Sequence, residues 1–515
     1  MLKYRGVKME YKSTRNNNVK VSASKAIAMG ISEDGGLFVP EEFPKYEYSD
    51  LLNFASLDYK ERAKKILRDF LTDFSEDEIE FCVDNAYDKE KFDSETPAPI
   101  TLLQNGIKNI YMLELWHGPT CAFKDMALQL LPYLLSISMK KVYKDKQVVV
   151  LAATSGDTGK AALEGFKDVN GTKIMVFYPE DGVSSMQKRQ MNTQLGNNLK
   201  VCGVNGNFDD AQTGVKSIFL DEELKNLLEQ NNLVFSSANS INWGRLLPQI
   251  VYYFSAYCDL MKTGEIDYDG EKINIVVPTG NFGNILAAYY AKKMGLPINK
   301  LICASNSNNV LTEFINSGVY NKNREFYKTV SPSMDILISS NLERLIYDLY
   351  DGDDKKILSL MQDLKLNGEY VIDDYIKDKL DDIFFAGYCD DKSTLKEIKN
   401  MFETENYLCD PHTAVALNVY GQYIDFTGDL ETPTIVVSTA SPYKFAKSVL
   451  DALEIDTSFK SDFDLVDELS AVSKTKILEP INNLRNMNIR FNDKCEVGSM
   501  KDEVLKFLGI QSEDK

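Results

Sequence analysis

The 515-residue chain is acidic, with 77 Asp and Glu residues against 58 Lys and Arg residues and a formal net charge of −19. Such a surface repels nucleic-acid backbones, so we expect no nucleic-acid partner. It also repels anionic metabolites unless a local group of cations attracts them. Apolar residues make up 44% of the chain and charged residues 26%, which is ordinary for a globular protein with a large core.

The eight cysteines and two histidines limit the chemistry that the chain can support. No two cysteines have a Cys-x-x-Cys spacing and several lie in apolar runs, so we expect buried free thiols in a reducing cytosol. With only His117 and His412 available, no metal site is predicted. The first residues lack an apolar signal segment, and no run of 18 apolar residues predicts a membrane span. The sequence therefore predicts a cytoplasmic protein without a membrane partner.

In chain order, residues 1–95 predict a mainly helical region with a turn at Asp34–Gly36 and helices near 59–72 and 76–88. From 108 to 306, short apolar runs alternate with helix-length segments, which is typical of parallel sheets covered by helices on both faces. The predicted strands are 147–153, 173–178, 199–204, 233–236, 273–277 and 300–304, and the predicted helices are 158–169, 184–195, 209–230, 244–263 and 283–295.

The pattern changes again after residue 306. Residues 307–405 are more polar and predict a helical insertion, and a last strand at 434–438 precedes a helix from about 443. We expect an N-terminal region (1–95), an α/β body (96–450) with a smaller subdomain at about 130–240, and a peripheral C-terminal extension (451–515).

Two loops that follow predicted strands carry candidate ligand-binding groups, since open α/β sheets bind ligands at the carboxyl ends of their strands. Residues 152–159 read AATSGDTG, and the hydroxyls of Ser155 and Thr158 with the backbone N–H groups suit a carboxylate better than a phosphate because Asp157 is negative. Alternatively, Asp157 and Thr158 only cap the next helix. Residues 278–284 read PTGNFGN, without an acid, and predict either a phosphate cradle or a plain tight turn.

A third loop, residues 438–442, reads STASP and offers neutral hydroxyls or an ordinary helix start with proline. Lys124 follows the apolar run Ile110–Leu115 and sits among small and apolar neighbours in the sequence HGPTCAFKD, residues 117–125. A lysine in such surroundings loses part of its charge and becomes nucleophilic, as Schiff-base lysines must. The structural alternative is an ion pair between Lys124 and Asp125.

Taken together, the motifs resemble those of the threonine synthase family, which are fold type II pyridoxal-phosphate enzymes. The matching segments, in order, are YKSTR (11–15), DGGL (34–37), HGPTCAFKD (117–125), ATSGDTG (153–159), FDDAQ (208–212), SINWGRLLPQIVYYF (240–254), GNFGN (280–284), DPHTAVA (410–416) and TASP (439–442). The resemblance spans nearly the whole chain. It implies two open, mostly parallel α/β subdomains with the cofactor between them, plus a helical N-terminal region.

The resemblance also implies a role for each site residue. Lys124 would hold pyridoxal 5'-phosphate as a Schiff base and act as the catalytic base. The cofactor phosphate would bind to Gly280, Asn281, Phe282, Gly283 and Asn284, and Thr439 would contact the pyridine nitrogen. The substrate side would include Ser155, Asp157, Thr158, Asn239, Ser240, Asn242 and Arg245. Arg245 is the first candidate for a substrate phosphate, with Lys188 and Arg189 as further cations.

The activity implied by the resemblance is conversion of O-phospho-L-homoserine and water to L-threonine and phosphate, by a monomer or homodimer. The chain departs from the family pattern at Ser441, where some members carry His, and at Asn284, where Asp is common. His412 is then either a site residue or a structural one. Two alternatives remain open: an amino-acid lyase or dehydratase of the same fold, and a catalytically silent binding relative.

Overall fold

The computed structural model describes residues 8–103, 109–144, 146–154, 156–180, 183–267 and 270–510. Its N-terminal region contains β1 (Glu10–Ser13), β2 (Asn16–Ser22), α1 (Ala23–Met29), β3 (Phe38–Pro40), α2 (Tyr48–Ala55), α3 (Tyr59–Phe70) and α4 (Glu76–Ala86). The last two helices were predicted, and both begin with a capping box. The antiparallel sheet β2-β1-β3 was not predicted, because the half-exposed strand β2 is asparagine-rich and its apolar alternation is limited to Val19 and Val21.

The next segment leads from this region to the smaller of two parallel sheets. It contains β4 (Ile100–Leu102), β5 (Ile110–Glu114), α5 (Asp125–Leu128) and α6 (Leu131–Tyr143), then β6 (Gln147–Ala153), α7 (Asp157–Phe166), β7 (Thr172–Pro179), α8 (Ser185–Asn192), β8 (Leu199–Asn205), α9 (Phe208–Leu220), α10 (Glu222–Gln230) and β9 (Leu233–Ser236). The strands match the predicted ones closely. The single helix predicted at 209–230 is two helices, because Asp221 is extended and caps the second one.

The second half of the chain supplies most of the larger sheet, together with β4 and β5. This half contains α11 (Trp243–Thr263), β10 (Ile273–Pro278), α12 (Gly283–Lys293), β11 (Ile298–Ser305), α13 (Val310–Ser317), β12 (Val319–Asn321), α14 (Leu342–Leu349), α15 (Asp354–Leu366), β13 (Glu369–Val371), α16 (Asp374–Ile383), β14 (Phe384–Tyr388), α17 (Asp391–Glu405), α18 (Pro411–Thr427), β15 (Thr434–Ser438) and α19 (Ala446–Ala452). Strands β12 and β13 form a separate antiparallel pair. The strand order of the larger sheet is β14-β11-β10-β15-β5-β4, parallel except for β4. The predicted helical insertion therefore also supplies β14, the edge strand.

The C-terminal segment contains α20 (Asp462–Ser473), α21 (Glu479–Asn482), β16 (Lys494–Glu496) and α22 (Met500–Leu508). It is less peripheral than the sequence suggested, because β16 pairs in parallel with β8 and completes the smaller sheet, whose order is β16-β8-β7-β6-β9. The sequence of β16 has only three residues and one buried side chain, which is too short for a period-2 pattern to be recognised.

Helix α11 forms the centre of the molecule. It packs against α2 and α3 of the N-terminal region and against α5 and α12, and most of its side chains are buried. Apolar residues on all of its faces are expected for a helix that is enclosed by other elements. No helix in the described ranges combines the length and apolar character needed to cross a membrane.

One close contact fixes the position of α5, the short helix after Lys124. Gly165 of α7 lies against the Leu128 carbonyl, and a Cβ added there would fall 1.9 Å from that oxygen. We expect Gly165→Ala to lower the free energy of unfolding by about 1–3 kcal/mol, because the two helices must separate. Gly421→Ala is the matched control: this α18 glycine has open space around it, and the change should stabilise by about 0.5–1 kcal/mol. Urea denaturation measures both, and equal effects would contradict the prediction.

Candidate active site

Lys124 lies just before α5, beyond the carboxyl end of β5, and its side chain is 11% exposed. Its Nζ is 3.1 Å from the Ser333 Oγ and 3.7 Å from the Asp157 Oδ2. Burial lowers the pKa of this ammonium to about 8, although the Asp157 carboxylate opposes the change. A useful fraction of the amine is therefore neutral near neutral pH, as a nucleophilic lysine requires.

Asp157 is the first residue of α7 and is nearly fully buried. Its Oδ1 lies 2.7 Å from the Lys444 Nζ and accepts a hydrogen bond from the Gln187 Nε2 at 2.9 Å. Burial alone would raise the pKa of Asp157, but Lys444 and Lys124 outweigh burial and hold that pKa well below its usual range. The carboxylate is thus permanently charged and shared between two ammonium groups.

Ser333, in a single 3-10 turn, links Lys124 to the rest of the site. Its hydroxyl accepts from the Lys124 Nζ and donates to the Asp157 Oδ2 at 3.0 Å, while its N–H donates to the His412 Nε2 at 3.1 Å. Because Nε2 accepts this bond, the ring proton of neutral His412 lies on Nδ1, 2.5 Å from the Asp410 Oδ2. His412 is thus a positioning residue for Ser333.

The loop Gly280–Asn284 joins β10 to α12 in the way predicted for an anion cradle. Phe282 adopts the left-handed conformation with φ 60°, and α12 begins at Gly283, where its first N–H groups lack helical partners. A Cβ on Gly280 would lie 2.8 Å from the Ser333 carbonyl oxygen. Ser333 therefore touches both Lys124 and this loop, which brings the two predicted halves of the cofactor site together.

Side chains around the loop hold its backbone in place. Asn341 donates to the Asn281 carbonyl from its Nδ2 at 3.0 Å, and the Ser339 hydroxyl donates to the Gly280 carbonyl at 2.8 Å. Tyr252 and Tyr253 donate to the Asn284 Oδ1 at 2.5 and 2.6 Å. The buried Asn284 Nδ2 has no partner among the described residues, so it retains a donor for an anion.

Thr439 follows β15 and is buried beside Lys124. Its carbonyl accepts from the Phe123 N–H at 2.8 Å, so it is joined to the residue immediately before Lys124. Ser441, two residues on, accepts from the Tyr443 N–H and caps the short 3-10 helix Pro442–Phe445. The departure at Ser441 thus has a local structural role.

Arg245 is a buried cation without a counter-ion among the described residues. Its Nη1 donates to the Ala238 carbonyl at 3.0 Å, its Nε has no partner, and no carboxylate in the described ranges pairs with it. Burial lowers its pKa to about 10. An unpaired guanidinium in such a place is costly unless an anionic ligand compensates it.

The other predicted substrate residues differ in position. Asn242 is fully buried and caps α11, with its amide bonded to the Ile27 and Ser237 carbonyls and to the Gly244 N–H. Both of its amide donors are used in this cap, so the buried side chain has a structural role here. Asn239 is exposed and Ser240 half-buried in the loop before that cap.

Thr158 is half-buried in the first turn of α7, beside Asp157, and Ser155 lies outside the described residues. The two additional cations are engaged elsewhere. Lys188 forms an ion pair with Glu180. Arg189 donates to the carbonyls of residues 484, 485 and 487 and so anchors the C-terminal segment.

Sequence reasoning missed Ser333, Lys444 and Asn341. The run SPSMDI at 331–336 contains a turn signal, since a proline lies between two serines, but it falls in the region predicted as a helical insertion. Lys444 stands two residues after Pro442, close to the carboxyl end of a predicted strand, where ligand-site residues are expected. Its position after a predicted strand was the signal that could have identified Lys444.

His117 belongs to the Lys124 segment but points to two carboxylates. Its Nδ1 lies 2.6 Å from the Asp93 Oδ1 and its Nε2 3.0 Å from the Glu114 Oε2, and its ring stacks on Trp116. Burial lowers the pKa of His117, but the bonds to Asp93 and Glu114 more than offset this and raise it to about 9. The imidazolium therefore joins the Lys124 segment to the N-terminal region.

The site has the features that pyridoxal phosphate needs: a buried amine, a glycine loop at a helix N-terminus, and an Asn284 donor and an Arg245 cation that find no partner in the part of the chain that the structure describes. A family model described as "Pyridoxal-phosphate dependent enzyme" matches residues 92–373, more than half of the chain. The fold and the site thus define a pyridoxal-phosphate dependent enzyme.

Further comparisons identify the family within that class. Models described as "Threonine synthase N terminus" and "Threonine synthase, C-terminal" match residues 10–87 and 413–487. The chain is 36% identical to threonine synthase of Saccharomyces cerevisiae, over 96% of this chain and 97% of that one. The structure of a PLP-bound threonine synthase from Brucella melitensis superposes with a TM-score of 0.85 and 32% identity, over 97% of this chain and 99% of that one. The chain belongs to the threonine synthase family.

A second group of relatives is longer. Human Threonine synthase-like 1 is 41% identical over 85% of this chain, but this chain spans only 59% of that protein.

The family models and the superposed structure confirm the fold class and the family resemblance that were inferred from the motifs.

The His117 contacts predict a pH dependence of stability. Its pKa rises on folding, so its contribution is complete below the unfolded value of about 6.5 and is lost as pH rises through about 9. We expect His117→Gln to cost stability at about pH 6 and to cost much less at about pH 10. Urea unfolding of both proteins at the two pH values measures this, and an unchanged difference would argue against the assignment.

The unpaired Arg245 predicts an unusual stability change. In the cofactor-free chain, Arg245→Met should raise the free energy of unfolding by about 1–3 kcal/mol, because a buried charge without a counter-ion disappears. Arg344→Met is the matched control: this equally buried guanidinium donates to the Phe38 and Ile241 carbonyls and to the Asn341 Oδ1. Its loss should destabilise by about 3 kcal/mol, since three acceptors lose their donor. A destabilised Arg245→Met would show that the charge is already compensated.

Proposed function

We propose that this chain is a threonine synthase that converts O-phospho-L-homoserine and water to L-threonine and inorganic phosphate, with pyridoxal 5'-phosphate bound through Lys124. The observation that carries the proposal is the buried Lys124 amine, joined through Ser333 to the glycine loop, in a chain that matches a threonine synthase along almost its full length. The substrate is a doubly anionic amino acid, and the site charges suit it.

The charge balance supports an anionic ligand. Lys124 and Lys444 are buried around Asp157, the carboxylate that they share, and the charge of the buried Arg245 acts on Lys124. Cations in a low-dielectric site bind anions strongly, and here they do so against a chain of net charge −19. The substrate's carboxylate and phosphate and the cofactor's phosphate are the matching groups.

The loop Gly280–Asn284 would hold the cofactor phosphate, through the N–H groups that start α12 and the Asn284 Nδ2. Thr439 would contact the ring from the side of Phe123, as a neutral group. When bound, the cofactor supplies an electron sink that stabilises a carbanion next to the amino group.

Lys124 would move protons once its amine is free. An amine of pKa about 8 accepts a proton and returns it near neutral pH. The Ser333 hydroxyl, within hydrogen-bond distance of both Lys124 and Asp157, would orient the amine during this step. The Lys124 amine would take the α-proton and later return it, and it would also move a proton from Cβ to Cγ, where the phosphate leaves. Water would supply the hydroxyl that Cβ gains.

Arg245 would bind the substrate phosphate, because no carboxylate in the described ranges pairs with its buried guanidinium and its Nε has no partner there. Thr158 and the backbone around Asp157 would receive the substrate carboxylate, with Ser155 as a further predicted contact. Asn239 and Ser240, in the adjacent loop, would close the substrate side.

Lys124→Ala should remove the visible absorbance of the bound cofactor and lower phosphate release from O-phospho-L-homoserine by about a hundredfold or more. Lys91→Ala is the matched control, because burial also lowers the pKa of Lys91, although it lies in the N-terminal region. Phosphate release and threonine formation are measured in parallel. Ketoacid formation from serine, threonine or phosphoserine without phosphohomoserine turnover would instead identify a dehydratase.

A further inference from the structure

Lys444 is a second buried ammonium beside Lys124, and the proposed reaction gives it no role. It lies in the 3-10 helix Pro442–Phe445 and its side chain is fully buried. Its Nζ lies 2.7 Å from the Asp157 Oδ1 and donates to the Thr120 carbonyl at 3.0 Å. The ion pair therefore connects the end of β15, the start of α7 and the loop that precedes Lys124.

Lys444 lies closer to the Asp157 carboxylate than Lys124 does, so the carboxylate attracts Lys124 less strongly. The Lys124 Nζ lies 3.7 Å from the Asp157 Oδ2, and the Ser333 hydroxyl donates to that same oxygen. Arg245 on α11 adds a positive charge toward Lys124. The Ser333 bond to Asp157 and the charge of Arg245 each reduce the attraction that would otherwise keep Lys124 protonated.

The other titratable groups nearby are already engaged. Asp125 accepts hydrogen bonds from the Thr120 N–H and hydroxyl, and burial raises its pKa to about 6. Burial also raises the pKa of the Cys121 thiol, which stays neutral. His412 faces the Ser333 N–H and is paired with Asp410. Asp157 is thus the carboxylate that balances both lysines.

We propose that Lys444 is a positioning residue whose permanent ion pair with Asp157 leaves the Lys124 amine free to react with an aldehyde near neutral pH. Without Lys444, Asp157 would pair with Lys124 alone and hold it as an unreactive ammonium. The inference rests on the proposed role of Lys124 as the cofactor lysine. It concerns the protonation of Lys124 and adds no contact to substrate.

The test uses the full chain after the cofactor has been removed. Uptake of added pyridoxal 5'-phosphate is measured by absorbance from about pH 6 to about pH 10. The uptake rate follows the neutral fraction of Lys124 and rises with pH, and the pH of the half-maximal rate is the midpoint. In Lys444→Met the midpoint should move up by about one unit, which slows uptake roughly tenfold below the midpoint. Lys444→Arg keeps the charge and should keep the midpoint.

Two further variants complete a cycle. Asp157→Asn should move the midpoint down, because Lys124 loses its nearby negative charge, and Asp157→Asn combined with Lys444→Met should return it toward the wild-type value. An unchanged midpoint in Lys444→Met, or equal shifts in Lys444→Met and Lys444→Arg, would overturn the proposal. Circular dichroism checks that each variant folds. If Lys444→Met does not fold, Asp157→Asn serves as the test, and the absence of a downward shift of its midpoint would overturn the proposal.

Lys124→Ala separates this inference from the proposed function. If that variant still acquires the absorbance of the bound cofactor, Lys124 is not the cofactor lysine and the proposed function fails. If Lys124→Ala does not acquire this absorbance and the wild-type protein does, the result supports Lys124 as the cofactor lysine. The midpoints of the other variants then test the role of Lys444 alone.

Discussion

The fold keeps three positively charged side chains buried, in a chain whose net charge is strongly negative. Lys124, Lys444 and Arg245 lie out of water, and Asp157 is the carboxylate that Lys124 and Lys444 share. Burying a charge without a partner costs several kcal/mol, so the surrounding fold must hold these groups against that cost. An anionic ligand bound there would supply the missing compensation and would couple ligand binding to the stability of the protein.

The groups that meet at this point come from distant parts of the chain. Lys124 follows β5 of the larger sheet, Asp157 follows β6 of the smaller sheet, and Ser333 lies between α13 and α14. The N-terminal region also supports the site, because Arg344 donates both to the Phe38 carbonyl and to Asn341, which holds the loop Gly280–Asn284. A change far from Lys124 can thus be transmitted to this loop through packed polar contacts.

Much of this could be predicted from the sequence, and the exceptions have physical causes. Apolar strands such as 147–153 and the loops after them carry strong local signals, so the positions of Lys124 and Gly280–Asn284 in loops after strands could be predicted. Ser333 was missed because its role comes from a contact 209 residues away, which no local pattern encodes. Asn242 was assigned to substrate because its polarity is visible in the sequence, whereas its burial as a helix cap is not.

The pairing of β16 with β8 has a consequence for how the protein is made. Asn205 and Glu496, at the ends of these strands, contact each other across 291 residues of sequence. While a ribosome synthesises the chain from the N-terminus, β8 therefore presents an unpaired strand edge until Glu496 has emerged. An open edge of this kind is prone to pair with other chains. Chaperone protection of the nascent chain would be most useful during that interval.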